Sequence, residues 1–193
     1  MKKISLLILT AGLFFLGGCD DDDNYIETSP TLMEALKNPK SNELAGDEGV
    51  YIIFAQSRDE KTVTNIEALD TLYFLSAVGT TQTHVYETNK YIDVIDDQLV
   101  DDVWAETVIY HPNSLPNINF DTAYNTVKEV AGDKPIANIS IRYELIPEEP
   151  LIISFVLPSE ISGLCDEYDY YVETDEAELA ANDVSCYFNI DPT

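Results

Sequence analysis

The sequence predicts a mainly β protein: an antiparallel β-sandwich, immunoglobulin-like or similar, with a short N-terminal helix and a short helix near the C-terminus. Three observations carry that expectation. In "IANISIRYELI", Ile139, Ile141, Tyr143 and Leu145 alternate with Asn138, Ser140, Arg142 and Glu144, the period of two that a half-buried strand requires. "LIISFVL" (Leu151–Leu157) is apolar throughout, as in a strand covered on both faces. Short β-branched and aromatic runs recur along the chain without the strand–helix alternation of a parallel sheet.

Taken in order, "ETSPTLMEALKNPK" predicts one short helix. Ser29 is an N-cap, Pro30 suits the first helical position, Leu32, Met33 and Leu36 form a narrow apolar stripe, and Pro39 forbids continuation. "NPKSNELAGDEG" follows as a polar connector, and the folded domain is expected to start near Glu48. "VYIIFAQ" (Val50–Gln56) and "TLYFLSAV" (Thr71–Val78) are strands by composition. "YIDVIDDQLVDDVWAETVIY" carries Ile92, Ile95, Leu99 and Val103 at helical spacing and equally fits two strands around "DDQ"; its β-branched residues favour strands. "HPNSLPNINFD" is a loop by its prolines and asparagines. "PEEP" (Pro147–Pro150) reverses the chain, so that the strands on either side pair as an antiparallel hairpin. "TDEAELAAND" predicts a helix of about two turns, with Asp175 and Glu178 as a capping-box-like start and Asn182 as its stop. "SCYFNI" is a last strand. There is no internal repeat.

The first two dozen residues have a different character. Lys2 and Lys3 precede an apolar run, Ile4 to Leu16, about the 7–15 residues of a signal-peptide core and short of the roughly 20 that span a bilayer. Small residues then lead into a cysteine in "LGGC", Leu16 to Cys19. This stretch resembles a bacterial lipobox, at which a signal peptidase cleaves once a diacylglycerol has been attached to the thiol. The resemblance implies a signal peptide over 1–18 and a mature chain that begins at a lipidated Cys19 bearing palmitate-type acyl chains. Two or more acyl chains, at about 0.8 kcal/mol per buried methylene, anchor a protein stably. Asp20 to Asp23 come next, and four adjacent like charges keep a tether extended and solvated. An acidic block after the lipid-bearing cysteine also resembles the surface-export signal of Bacteroidetes lipoproteins. In enterobacteria, an aspartate in that position retains a lipoprotein in the inner membrane. A single aspartate suffices for retention and four stand here, so the outer membrane or cell surface is favoured. The expected organisation is thus signal peptide 1–18, lipidated tether and short helix 19–47, and a single domain 48–193.

The formal charge is −26. Loss of residues 1–18 removes Lys2 and Lys3, leaving 8 basic residues against 36 acidic ones, a charge of −28 on 175 residues. Such a surface repels nucleic acid and anionic lipid and suits a basic protein partner. Cys165 and Cys186 remain in a chain expected to be exported, where a disulfide is permitted. Closing their loop is worth about 3 kcal/mol in the loop-entropy treatment.

No nucleophile elbow, zinc-protease helix, phosphate loop or dinucleotide fingerprint occurs. His84 and His111 are isolated, and the acid pairs Asp96–Asp97, Asp101–Asp102 and Glu148–Glu149 are what 36 carboxylates produce without function. Asp93, Asp96, Asp97, Asp101 and Asp102 form the densest hard-oxygen cluster in the expected folded part, the candidate for Ca2+. Tyr168, Tyr170 and Tyr171 in "CDEYDYYVET" are candidate binding aromatics, since amphipathic rings beside acids suit a sugar or protein ligand. The expected function is therefore a non-enzymatic, lipid-anchored module with a glycan or protein ligand and no cofactor. The alternatives are an exported hydrolase using paired carboxylates and a calcium-stabilised structural domain.

Overall fold

The computed structural model describes residues 29–47, 49–78, 82–101, 108–144 and 150–189. The leader, Cys19 and the aspartate block lie outside the described residues, as do Asp102, most of "PEEP" and Leu145.

Two short helices open the described chain: α1 (Leu32–Leu36) and α2 (Pro39–Ala45). Four strands follow, β1 (Val50–Gln56), β2 (Thr71–Val78), β3 (Gln82–Asn89) and β4 (Val94–Val100). A longer helix, α3 (Phe120–Ala131), precedes β5 (Asn138–Tyr143), β6 (Leu151–Pro158), β7 (Cys165–Tyr171) and β8 (Glu176–Val184). The chain is mainly β and antiparallel, as its patterning predicts. Among the described residues there are eight strands, and all lie in a single sheet, in the order β4-β3-β2-β1-β5-β6-β7-β8. Two four-stranded meanders meet where β1 pairs with β5, Ile53 opposite Ile141 and Ala55 opposite Ile139. A sandwich would bury the apolar sheet face under a second sheet. Here helices supply the second layer, and the main core joins Leu32, Leu36, Ala45, Ala123, Tyr124 and Val127 to Ile53, Phe74, Ile141, Ile153 and Phe155 of the sheet.

The sequence explains each helix once its cap is identified. Thr31, not Ser29, caps α1 through a reciprocal capping box with Glu34. Pro39 ends α1 and also begins α2 behind the Asn38 cap, so the expected connector is a helix. Glu67 accepts from the Leu32 amide at 2.9 Å and from the buried Lys90 ammonium at 2.9 Å, which ties α1 to β3 and its turn. Asn119 caps α3, and Phe120, Ala123, Tyr124 and Val127 bury one stripe at helical spacing. No helix was expected there.

Three further expectations change. The "TDEAELAAND" segment forms strand β8 rather than a helix: a tight turn with Asp175 at φ 58° brings it back onto β7, where Glu176 faces Tyr171 and Leu179 faces Tyr168. Its alanines and glutamates favour helix locally, and pairing with β7 overrides that preference. "SCYFNI" is not a strand over its described part, 185–189; it crosses the sheet as an irregular strap. The "DDQ" segment lies inside one strand, β4, rather than between two.

Candidate binding surface

The two faces of the sheet differ. Helices cover one. The other carries an apolar patch of Tyr51, Ile52, Tyr73, Leu75 and Val85 beside a charged centre. There Arg142 of β5 donates to Asp169 of β7 at 2.9 Å and lies 3.4 Å from Glu167, while the Ser154 hydroxyl of β6 donates to Asp169 at 2.5 Å and accepts from Arg142. Asp169 is buried, so each of its lone pairs needs this supply of donors.

The strap lies over this face. The Cys165–Cys186 disulfide, with Cα atoms 5.1 Å apart, fastens it, as the cysteine pattern predicts. Beyond the bridge, the Phe188 ring stacks on Phe54 at 4.3 Å and meets Tyr73 at 5.0 Å. Phe188 donates its amide to Gln56 Oε1 at 2.9 Å, and Asn138 Nδ2 donates to the Cys186 carbonyl at 2.7 Å. Beside Phe188 a depression of about 290 Å³ is lined by Arg58, Glu60, Glu87 and Gln98, among others. Burial and the neighbouring Asp96 hold the Glu87 carboxyl above the usual range.

The candidate aromatics divide by strand alternation. Tyr168 and Tyr170 belong to the main core under α3; Tyr171 points the other way. Two polar tips are used: Tyr170 donates to Asp175 at 2.7 Å and Tyr171 to Glu178 at 2.7 Å. Both phenols are pushed up to about 12, Tyr170 chiefly by burial and Tyr171 chiefly by its bond to Glu178. Tyr171 also lines a groove of about 400 Å³ between α3 and the β7–β8 hairpin. Thr126, Glu129 and Val130 form its helix wall; Asp175, Glu176, Ala177 and Glu178 form its strand wall. Among the described residues the lining holds four carboxylates and no lysine, arginine or histidine. Val130 and, further along β8, Leu179 are exposed by 52% and 44%. Reading the chain residue by residue finds Tyr171 but not the helix wall, although the apolar repeat over 120–131 is present in the sequence.

Of the calcium candidates, Asp93, Asp96, Asp97 and Asp101 lie among the described residues. Asp96 and Asp97 are consecutive in β4 and face opposite sides of the sheet, Asp96 opposite Glu87 and Asp97 opposite Tyr86. Asp101 accepts from Gln82 and Asp93 from Asn89. Among the described residues, no three His, Cys, Asp or Glu side chains converge. His84 stacks on Tyr86 at 4.0 Å and lies 3.4 Å from Asp97; His111 caps a single short turn through its carbonyl. No helix among the described residues is long and apolar enough to cross a membrane.

Neither a family model nor a curated protein matches the chain. Among solved structures, the chain is similar to a "putative lipoprotein" from Clostridium difficile 630, at 9% identity over 69% of this chain and 84% of that one. The TM-score is 0.39, too low to carry an argument about function.

Proposed function

We propose that the protein is a lipid-anchored lipoprotein of the bacterial cell envelope whose sheet-and-helix head is a binding module for a glycan or protein, displayed on the outer membrane or cell surface. One observation carries the reading: a basic, apolar and small-residue leader ends on Cys19 in "LGGC", directly before four aspartates. Diacylglycerol and acyl chains on that cysteine hold the protein at the membrane, and the charged run separates the head from anionic headgroups. The surfaces on the head support binding rather than chemistry. The acid-lined groove along α3 and the depression beside Phe188 present aromatic, apolar and charged groups together, the mixture that recognises amphipathic partners.

The test is Cys19→Ala. Wild-type protein is expected to fractionate with membranes and to incorporate a labelled fatty acid; the variant is expected to do neither. A variant that stays in the membrane fraction, or a wild-type chain that keeps its leader and carries no fatty acid, overturns the reading.

A further inference from the structure

We infer that the groove between α3 and β8 takes an extended basic peptide, added to the sheet as a ninth strand. The inference rests on the reading of the head as a binding module and names the partner's chemistry. β8 is the last strand of the sheet, and among the described residues the backbone of Glu176–Leu179 pairs with β7 alone. An unpaired edge is a template for another strand, and proteins that must avoid this usually blunt it with charged side chains, lysine above all, with proline or with a bulge. β8 contains neither lysine nor proline, and its charges, Glu176, Glu178 and Asp183, are all acidic, so they repel an acidic strand and admit a basic one. Its irregularities fall in the second half, where the register slips at Ala180 and again before Val184. The stretch Glu176–Leu179 keeps regular pairing, and it runs along the helix that makes the other wall.

Strand alternation gives the partner's pattern. Ala177 and Leu179 lie opposite Tyr170 and Tyr168 and so share the helix-covered face, on the same side as the exposed Val130. Glu176 and Glu178 lie opposite Tyr171 and Asp169 and share the other face. A strand added here places one set of alternate side chains against Val130 and Leu179 and the other beside Glu176 and Glu178. Apolar and basic residues in strict alternation satisfy both. Charge decides against a second copy of this chain: pairing β8 with itself sets glutamates against glutamates, and like charges across a ladder destabilise it.

The probe is acetyl-Lys-Val-Lys-Val-Lys-Val-amide, offered to the full lipidated protein in neutral detergent. Controls are a block peptide of the same composition and the probe with alternate backbone amides N-methylated. Binding is expected to slow amide exchange over 176–179. It should weaken by at least about tenfold in Glu176→Lys/Glu178→Lys and be lost with the N-methylated probe. Val130→Asp is expected to weaken it as well, and the melting temperature of each variant verifies its fold. Equal binding of all three peptides identifies plain ion exchange and overturns the inference. So does protection at β4 in place of β8, or no binding. An envelope partner that captures the charge-reversed variant as well as wild type leaves the module reading standing and overturns this site.

Discussion

Replacing Cys165 and Cys186 by alanine measures what the strap contributes. The bridge joins residues 21 apart in sequence, and closing such a loop in the unfolded chain is worth about 3 kcal/mol at 25 °C. Cys165 is fully buried among Ala137, Val156 and Val184, so alanine there removes one sulfur and adds no buried polar group. Set against a typical stability of about 5–15 kcal/mol, the loss is large. With a urea dependence of about 2 kcal/mol per molar, the unfolding midpoint is expected to fall by about 1–2 M. A second effect separates the bridge from the strap. In the bridged protein Phe188→Ala removes ring contacts with Phe54 and Tyr73, worth about 1 kcal/mol. Without the bridge, the strap's end is released locally, so the same substitution costs less, and the Phe188 amide, held by Gln56, exchanges quickly. Urea titration of all four proteins, with hydrogen exchange on the bridged and bridge-free pair, provides the assay. An unchanged midpoint in the cysteine-free protein, or a Phe188→Ala cost identical in both backgrounds, refutes the reasoning.

Three other outcomes follow from the same structure. Arg142→Met leaves the buried Asp169 with Ser154 as its remaining side-chain donor among the described residues and is expected to cost about 3 kcal/mol; Arg142→Met/Asp169→Leu recovers much of that loss, and chemical denaturation of both variants checks it. Gly49→Ala is expected to destabilise by about 1–3 kcal/mol or more, measured by thermal melting, since Gly49 sits at φ +92° and a Cβ there would lie 2.7 Å from both Ile109 Cγ2 and the Tyr110 carbonyl oxygen. Tyr73, Tyr170 and Tyr171 hold their protons to about 12, against about 10 in the unfolded chain. The unfolded state therefore releases these protons first, so the stability they contribute is complete below about pH 10 and is lost as pH rises towards 12. Phenolate absorbance shows this as a late native titration, and a native curve that completes near pH 10 contradicts it.

Much of the sheet was legible from local pattern. The alternation of Ile139 and Ile141 places them in the core, and the unbroken apolar run of β6 is buried from Leu151 to Leu157. The pairing of β5 with β6 and the bridge between Cys165 and Cys186 also follow the sequence. The misses have identifiable causes. The α3 signal is present in the sequence, a cap at Asn119 and an apolar stripe from Phe120 to Val127, but it follows directly on a proline- and asparagine-rich loop that carries the stronger local signal. β8 has the composition of a helix, and only the partner strand β7 makes it extended. The acids of β4 are a separate matter: strand alternation sends Asp96 and Asp97 to opposite faces, while Asp102 lies outside the described residues. The groove is not legible in the sequence because one wall is α3 and the other is β8, and the two come together only in the tertiary fold.

The sequence by itself determined the strand segments β1, β2, β5 and β6, since a period of two and a short β-branched or unbroken apolar run are local properties of consecutive residues. Only the tertiary structure decided that the strands form one sheet and that helices, not a second sheet, cover it. An apolar strand face gains the same free energy from either cover. Which cover it receives depends on the meeting of β1 with β5, more than eighty residues apart, and on the docking of α1, α2 and α3, which no short window of residues can specify.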